Sequence, residues 1–546
     1  MAALPGLSSD DQTTVRASEA AVGGRANATP DFVPGFVPDF QPDDSVRRLE
    51  PAQSDTARSP SPARKAQVAR ELMRLLPQGS VLWREEDLRP YECDALTAFR
   101  QMPMLVVLPA SEAEVIEVLR CCHRLEVPVV ARGAGTGLSG GAMPHAAGVV
   151  LSLARLNRIL HLDPHARTAR VEPGVRNLAI SEAAAAHGLY YAPDPSSQIA
   201  CTIGGNVAEN SGGVHCLKYG LTVHNVLRVR AVSSEGEVLE CGSEALDSPG
   251  FDLLAALIGS EGMLAVVTEV TVKLVPRPQL ARVVMASFDD VIKAADAVAG
   301  IIAAGIIPAG LELMDKRTAE AVEPFVRAGY DLQAQAILLA ESDGTPEEVQ
   351  EEIGRIEQVL DEAGATAIRV SQSEAERLRF WSGRKNAFPA AGRISPDYYC
   401  MDGTIPRKHL GRMLGDIASM ESTFGLRCMN VFHAGDGNLH PLILFDANDP
   451  DQWQRAERFG AAILERCVEY GGTVTGEHGV GMEKINSMCV QFSLEERNCF
   501  FALKRAFDPE GLLNPGKAIP TLARCAEYGK MHVHRGNTRF PGLERF

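Results

Sequence analysis

The stretch Arg132-Gly-Ala-Gly-Thr-Gly-Leu-Ser-Gly-Gly141 constrains this chain more than any other. Its core, Gly135-Thr-Gly-Leu-Ser-Gly140, matches GxGxxG, the fingerprint of a dinucleotide-binding βαβ unit. That fingerprint works only where the loop opens a helix whose N-terminus holds a pyrophosphate. Here Pro144 and a strand-like run from Gly148 to Leu153 leave no room for the helix. Glycines at 133, 135, 137, 140 and 141 instead let backbone N–H groups converge on an anion, a nest rather than a helix terminus. A merely flexible turn would not need so many glycines packed after an apolar strand.

A second segment of the same character runs from Pro193 to Gly213 (PDPSSQIACTIGGNVAENSGG), and a third, Gly259-Ser-Glu-Gly262, precedes a strand from Val266 to Leu274. Separated Gly/Asn/Ser-rich walls suit a long ligand with polar and flat parts. Around them the pattern is regular. Met104 to Leu108 reads as a buried strand, Ser111 with Glu114 as a capping box opening a helix to about Arg124, and Val127 to Ala131 as a second strand. Ala169 to Glu172, an alanine-rich helix ending near Gly188 and a hairpin around Ser234-Glu-Gly236 follow. Strands outnumber helices, an α+β pattern.

At 546 residues the chain is too long for one hydrophobic core. Residues 1–60, rich in Pro and Asp with no hydrophobic period, read as a disordered tail, and 61–278 as the glycine-walled domain. A composition shift near Pro276-Arg-Pro278 opens a second domain over 279–480, where alternating segments suggest a ferredoxin-like β-α-β-β-α-β sheet covered on one face. Ser373 with Glu376 caps a helix carrying Arg384, and an amphipathic helix from about Gln452 stops at Gly471-Gly472. Residues 481–546 read as a C-terminal segment returning to the first domain. No apolar run approaches the ~20 residues of a membrane span. The early acids Asp10, Asp11 and Glu19 argue against a transit peptide. A net charge of −16 disfavours nucleic acid as a partner. The 12 cysteines contain no CxxC, which fits a reduced, cytoplasmic setting and excludes a clustered iron–sulfur ligand set in this chain.

Two motifs carry chemistry. Asn430-Val-Phe-His-Ala-Gly-Asp-Gly-Asn-Leu-His-Pro441 holds His433 and His440 around a glycine-rich turn, and Gly471 to Gly481 places Glu477 and His478 between glycines. Two histidines and a carboxylate are a familiar ligand set for a divalent metal with open positions. Seven residues apart, His433 and His440 point to opposite faces of a regular strand, so they converge only if Gly435 and Gly437 turn the chain. Asp436 is a weaker ligand candidate and Asn438 a substrate-orienting one.

The three glycine-rich segments, in this order, resemble the FAD-binding domain of the vanillyl-alcohol-oxidase-like flavoproteins. The resemblance implies a p-cresol-methylhydroxylase-type (PCMH-type) FAD-binding domain of two subdomains, followed by an α+β cap domain and a C-terminal helical segment. It implies FAD contacts from Arg132, Gly133, Ala134, Gly135, Thr136, Gly137, Leu138, Ser139 and Gly140. Pro193, Asp194, Thr202, Gly204, Gly205, Asn206, Asn210, Gly212 and Gly213 form a second group of contacts, and Glu261, Gly262, Val266 and Asn514 a third. Relatives that tether FAD covalently place a histidine in the first loop, and Ser139-Gly140 offers none, so FAD is expected to be non-covalent. The histidine motifs, continuing through Leu513-Asn-Pro-Gly-Lys517, are similar to the D-2-hydroxy-acid dehydrogenases of that superfamily, and the tail Ile519 to His534 to its glycolate-oxidising branch. This second resemblance implies His433, His440 and Glu477 as ligands of a divalent metal such as Zn or Mn. It also implies His478 as catalytic base, Arg384 as a substrate-carboxylate contact, and partners consisting of a second flavin-fold subunit and an iron–sulfur subunit. The membrane would be reached only indirectly, at the inner membrane through those partners.

Oxidising a 2-hydroxy acid removes a hydroxyl proton and a hydride from one carbon, so the site needs a base, an anion clamp and a hydride acceptor. His478, Arg384 and FAD are the candidates. Two other readings stay open at this point: an alkyl-glycerone-phosphate-synthase-like exchange without net oxidation, and a non-catalytic flavin-bearing scaffold. Glycolate and D-lactate differ by one methyl, a difference worth only ~1–3 kcal/mol in a pocket.

Overall fold

The computed structural model describes residues 60–245 and 250–520. The expected disordered tail, but for its last residue, and most of the segment from Ile519 to His534 lie outside the described residues. Helix α1 (Pro62–Leu75) starts at Ser61, whose hydroxyl accepts from Arg64 N, with Pro62 preset for the first turn. It packs Val68 and Leu72 into the core beneath a four-stranded sheet, β1 (Val81–Leu82), β2 (Leu105–Val107), β3 (Val129–Arg132) and β4 (Val149–Ser152), in the order β1-β2-β4-β3. Helix α2 (Glu112–Arg124) covers it, capped by Ser111, with Val115, Val118 and Leu119 buried. β3 and β4 are parallel neighbours joined by residues 133–148 without a helix, as the position of Pro144 predicted. The glycine-rich loop therefore crosses the sheet end as bare backbone.

The second sheet is antiparallel: β5 (Ile159–Asp163), β6 (Thr168–Val171), β7 (Val226–Val232), β8 (Val238–Gly242) and β9 (Val266–Lys273), in the order β5-β6-β9-β7-β8. The predicted hairpin joins β7 to β8, with Gly236 N donating to Ser233 O. Against this sheet lies the short helix α3 (Ile203–Glu209), whose Ile203 and Val207 are buried in its core. α3 brings Thr202, Asn206 and Glu209 to face the first glycine loop.

Seven antiparallel strands form the third sheet, ordered β13-β10-β12-β11-β15-β16-β14. They are β10 (Leu280–Phe288), β11 (Gly310–Asp315), β12 (Ala336–Gly344), β13 (Ala367–Val370), β14 (Asp397–Cys400), β15 (Arg427–Phe432) and β16 (Pro441–Phe445). The first four make the expected ferredoxin-like pattern, with two departures. A further helix, α4 (Lys316–Val326), separates β11 from β12, started by Asp315, whose carboxylate accepts from Thr318 N. The sheet is also buried on both faces, not one. Val284, Ala286 and Phe288 of β10 face one core, and Val283 and Met285 face the other. Strands covered on both sides read as continuous apolar runs, as Val283-Val-Met-Ala-Ser-Phe288 does. Fully burying one such side chain stabilises by about 1.5–3 kcal/mol.

Helices α5 (Glu374–Lys385) and α6 (Ala387–Ala391) pack on the second face. The long helix runs from Pro450 to Glu469, slightly earlier than expected, because Asp449 caps it and Pro450 fills its first turn. The C-terminal segment then reaches the first sheet, where Val129 N donates to Leu512 O and Asn514 N to Val129 O. No helix among the described residues is long and apolar enough to cross a membrane.

Candidate active site

The turn between β15 and β16 resolves the histidine question. Gly437, at φ +74°, reverses the chain so that His433 bridges Asn438, and the rings of His433 and His440 stand 5.0 Å apart, edge to face. The loop 473–481 folds over them. His478 stacks on His440 with centroids 4.8 Å apart, and Glu477 Oε1 lies 3.1 Å from His433 Nε2 and 3.4 Å from His440 Nε2. His433, His440 and Glu477 thus offer three ligand atoms within 4.8 Å of one another. His440 is 2% exposed, and among the described residues neither of its ring nitrogens makes a hydrogen bond. A buried imidazole left that way fits a bound cation.

The electrostatics agree. Burial would lower the His433 pKa, but Glu312 and Glu477 on either side of the ring push it up to about 10, so the site favours positive charge there. Burial would raise the Glu477 carboxyl, yet His433, His440 and His478 hold it at about 2. His478 goes the other way. Burial lowers it, with only partial opposition from Asp402, which leaves a neutral imidazole with an unpartnered Nδ1.

Sequence reasoning missed the residue that holds this loop. Asp402, just beyond β14 and 0% exposed, accepts from Asn438 Nδ2 (3.0 Å), Gly476 N (3.0 Å), Glu477 N (3.2 Å), His478 N (2.9 Å) and the Thr475 hydroxyl. Burial alone would raise its carboxyl, but His478, His440 and Lys484 hold it well below the usual range. Asn438 is thereby engaged with Asp402, while Asp436 is exposed and belongs to no ligand group among the described residues. Arg384 is 1% exposed. Its Nε donates to Glu312 (2.5 Å) and its Nη2 lies 3.3 Å from His433 Nε2, one side chain back from the cavity. Glu312 and Asp402 did leave a signal, an acid set in or just beyond an apolar strand, which a fold tolerates only when it is paired.

One cavity joins this cluster to the glycine loops. Its walls include Arg132 through Leu138, Thr202, Gly204, Gly205, Asn206, Glu261 and Gly262, together with Phe388, His440, Glu477 and His478. Buried Thr202 Oγ1 and Asn206 Nδ2 make no hydrogen bond among the described residues, as expected of groups that contact a polar cofactor. Gly141, expected in the anion nest, also lines it, as do Pro195 to Ser197, Glu209 and Ser211 of the second glycine-rich segment.

Glu261 braces the wall it lines, and the remaining expected cofactor contacts sit behind that wall and shape it. Glu261 accepts from Val480 N and Gly481 N, both at 2.7 Å, tying the His478 loop to the first domain. Asn514 donates to Gly141 O and Glu261 O. Ser139 O accepts from Met482 N and Glu483 N, and Val266 and Pro193 are buried behind the lining. Gly140 and Asn210 serve as left-handed turns. A Cβ at Gly212 would sit 2.5 Å from Glu477 Oε2, and one at Gly213 2.5 Å from the Asp194 backbone, so the Gly-Gly pair lets both approach. Asp194 itself binds His215, Oδ2 to Nδ1 at 2.8 Å, and His215 Nε2 reaches Glu341 of β12 at 3.2 Å.

A family model described as FAD binding domain matches residues 103–242, and one described as FAD linked oxidases, C-terminal domain, matches residues 277–518. The chain is 62% identical over 482 residues to the glycolate oxidase subunit GlcD of Escherichia coli (strain K12), covering 88% of this chain and 97% of that one. It is 30% identical to the mitochondrial D-lactate dehydrogenase [cytochrome] of Arabidopsis thaliana, over 77% and 74% of the two chains. Among solved structures, p-cresol methylhydroxylase with substrate bound superposes with TM-score 0.72 at 17% identity, covering 85% of this chain and 98% of that one, a likeness of fold.

Proposed function

Because the chain belongs to the FAD-linked oxidases, in the family of the glycolate oxidase subunit GlcD, we propose that it oxidises a small 2-hydroxy acid, glycolate to glyoxylate or D-lactate to pyruvate. The observation that carries this reading is the single cavity in which two glycine-walled loops meet His440, Glu477 and His478.

When bound, non-covalent FAD supplies the hydride acceptor and a divalent cation such as Zn or Mn polarises the substrate hydroxyl. His433, His440 and Glu477 would hold the cation, and the loops from Arg132 and from Thr202 the FAD. His478 takes the hydroxyl proton, its neutral ring favoured by burial. Asp402 fixes the backbone from Gly476 to His478 and so aims the ring. Arg384 is the candidate partner for the substrate carboxylate, and it also orients His433.

The electrons leave through partner subunits. The name of the E. coli relative describes a subunit, and this chain has no clustered cysteines to hold an iron–sulfur centre of its own. A second flavin-fold subunit and an iron–sulfur subunit would complete the assembly, with any membrane contact made through them.

The test is anaerobic reduction of the purified yellow protein across a panel of 2-hydroxy acids, with and without chelator. The flavin absorbance is expected to bleach with glycolate or D-lactate, more slowly after chelation. A flavin that no 2-hydroxy acid reduces overturns the reading.

A further inference from the structure

The region beyond residue 278 sends four described side chains into the cavity, and three are polar: His440, Glu477 and His478. The fourth is Phe388, a half-buried aromatic ring that the chemistry above does not use. It is held firmly. Ala387, Ala390 and Ala391 of α6 are fully buried in the core beneath it. The ring itself is wedged edge to face between Tyr398 and His440, each 6.0 Å away between centroids. His440 in turn stacks on His478, so Phe388 stands at the edge of the stack that meets the substrate.

A 2-hydroxy acid presents two polar groups and one variable substituent on the same carbon. Its hydroxyl and carboxylate belong with the histidines and carboxylate, and the glycine loops wall the cofactor side. The variable substituent is left to face Phe388, the one apolar side chain that the described residues beyond 278 contribute to the opposite wall. Resting on the 2-hydroxy-acid reading above, we propose that Phe388 sets the chain-length limit of the substrate, admitting a hydrogen or a methyl on the reacting carbon and excluding longer chains. A ring flanked by two aromatic neighbours is limited in how far it can turn aside, so a longer substituent would meet it directly.

The test uses the FAD-loaded full chain and compares kcat/KM for glycolate, D-lactate, D-2-hydroxybutyrate and D-2-hydroxyvalerate, with a dye as electron acceptor, in wild type, Phe388→Ala and Phe388→Leu. Flavin content and melting temperature confirm that each variant folds. A methylene newly accommodated in an apolar pocket is worth roughly ten-fold or more, so in Phe388→Ala the longer acids should gain at least that much relative to glycolate, and Phe388→Leu should fall between. Unchanged ratios in both flavin-loaded variants overturn the proposal. So does a loss of FAD affinity without a change in chain-length preference, which would make Phe388 part of the cofactor wall. A wild type that oxidises no 2-hydroxy acid would fail the functional reading itself, a different result from a wild type that oxidises glycolate and variants that keep its preference.

Discussion

Asp402→Asn removes one charge and changes little in shape, yet the geometry around this residue makes the expected effect large. Oδ2 accepts from Gly476 N, His478 N and the Thr475 hydroxyl, while Oδ1 takes Asn438 Nδ2, and Glu477 N reaches both oxygens. An amide can offer only one acceptor oxygen. If its NH2 replaces Oδ2, His478 N loses its partner, at about 1–3 kcal/mol, while Gly476 N keeps the Asp402 backbone carbonyl at 2.7 Å. If it replaces Oδ1, Asn438 Nδ2 keeps only its longer bonds to Asp402 O and Gly403 O, both 3.4 Å, and the remaining bonds lose the reinforcement of a full negative charge. Either way the loop 475–479 is destabilised by about 1–3 kcal/mol, so its opening equilibrium rises roughly ten-fold or more. Hydrogen exchange followed by mass spectrometry on peptides covering Gly476 to Gly481 should show that loss of protection, with the sheet β10 to β13 unaffected. Turnover should fall about 10²-fold, since His478 is displaced from its working position. Protection within two-fold of wild type together with unchanged turnover would refute the clamp.

Three further outcomes are expected. His215, between Asp194 and Glu341, is raised well above 6.5 by those carboxylates despite burial, and Glu341 is held at about 2 by His215 and Arg377 against its own burial. The raised histidine contributes stability fully below 6.5 and loses it as pH climbs through its folded value, while Glu341 contributes above 4.5 and loses it as pH falls toward 2. Melting temperatures of wild type and His215→Gln should therefore differ most between about pH 4.5 and 6.5 and converge in alkali, and a constant difference to high pH would count against the pair. Gly479→Ala places a Cβ 1.9 Å from Glu209 Oε2 at φ +81°, so the loop must shift, and FAD affinity measured by flavin fluorescence should weaken at least ten-fold. Finally, chelation or His440→Ala should slow substrate-driven flavin bleaching while leaving FAD content intact, and adding Zn or Mn should restore the chelated wild type only.

The legible and illegible parts of this molecule divide along a physical line. The glycine-rich loop, the cap residues Ser111 and Ser373, the hairpin at Ser234 and the convergence of His433 with His440 all depend on local conformation, and local conformation is written in spacing and residue type. Asp402 and Glu312 act through partners from 36 to 121 residues away, and Phe388 acts beside His440 of another strand end, and no period or motif announces such pairs. The burial of the third sheet on both faces was within reach, since Val283 to Phe288 and Ala336 to Ala340 contain no alternation at all. Asp194 shows the opposite difficulty. It sits in the middle of a cofactor-like motif, but the structure gives its carboxylate to His215, a residue that also touches Glu341 on the cap sheet. A motif marks which backbone must come close to the ligand. Which of its side chains face that ligand, and which brace the wall behind, is decided by neighbours the motif does not contain, and here most of those neighbours arrive from beyond residue 278.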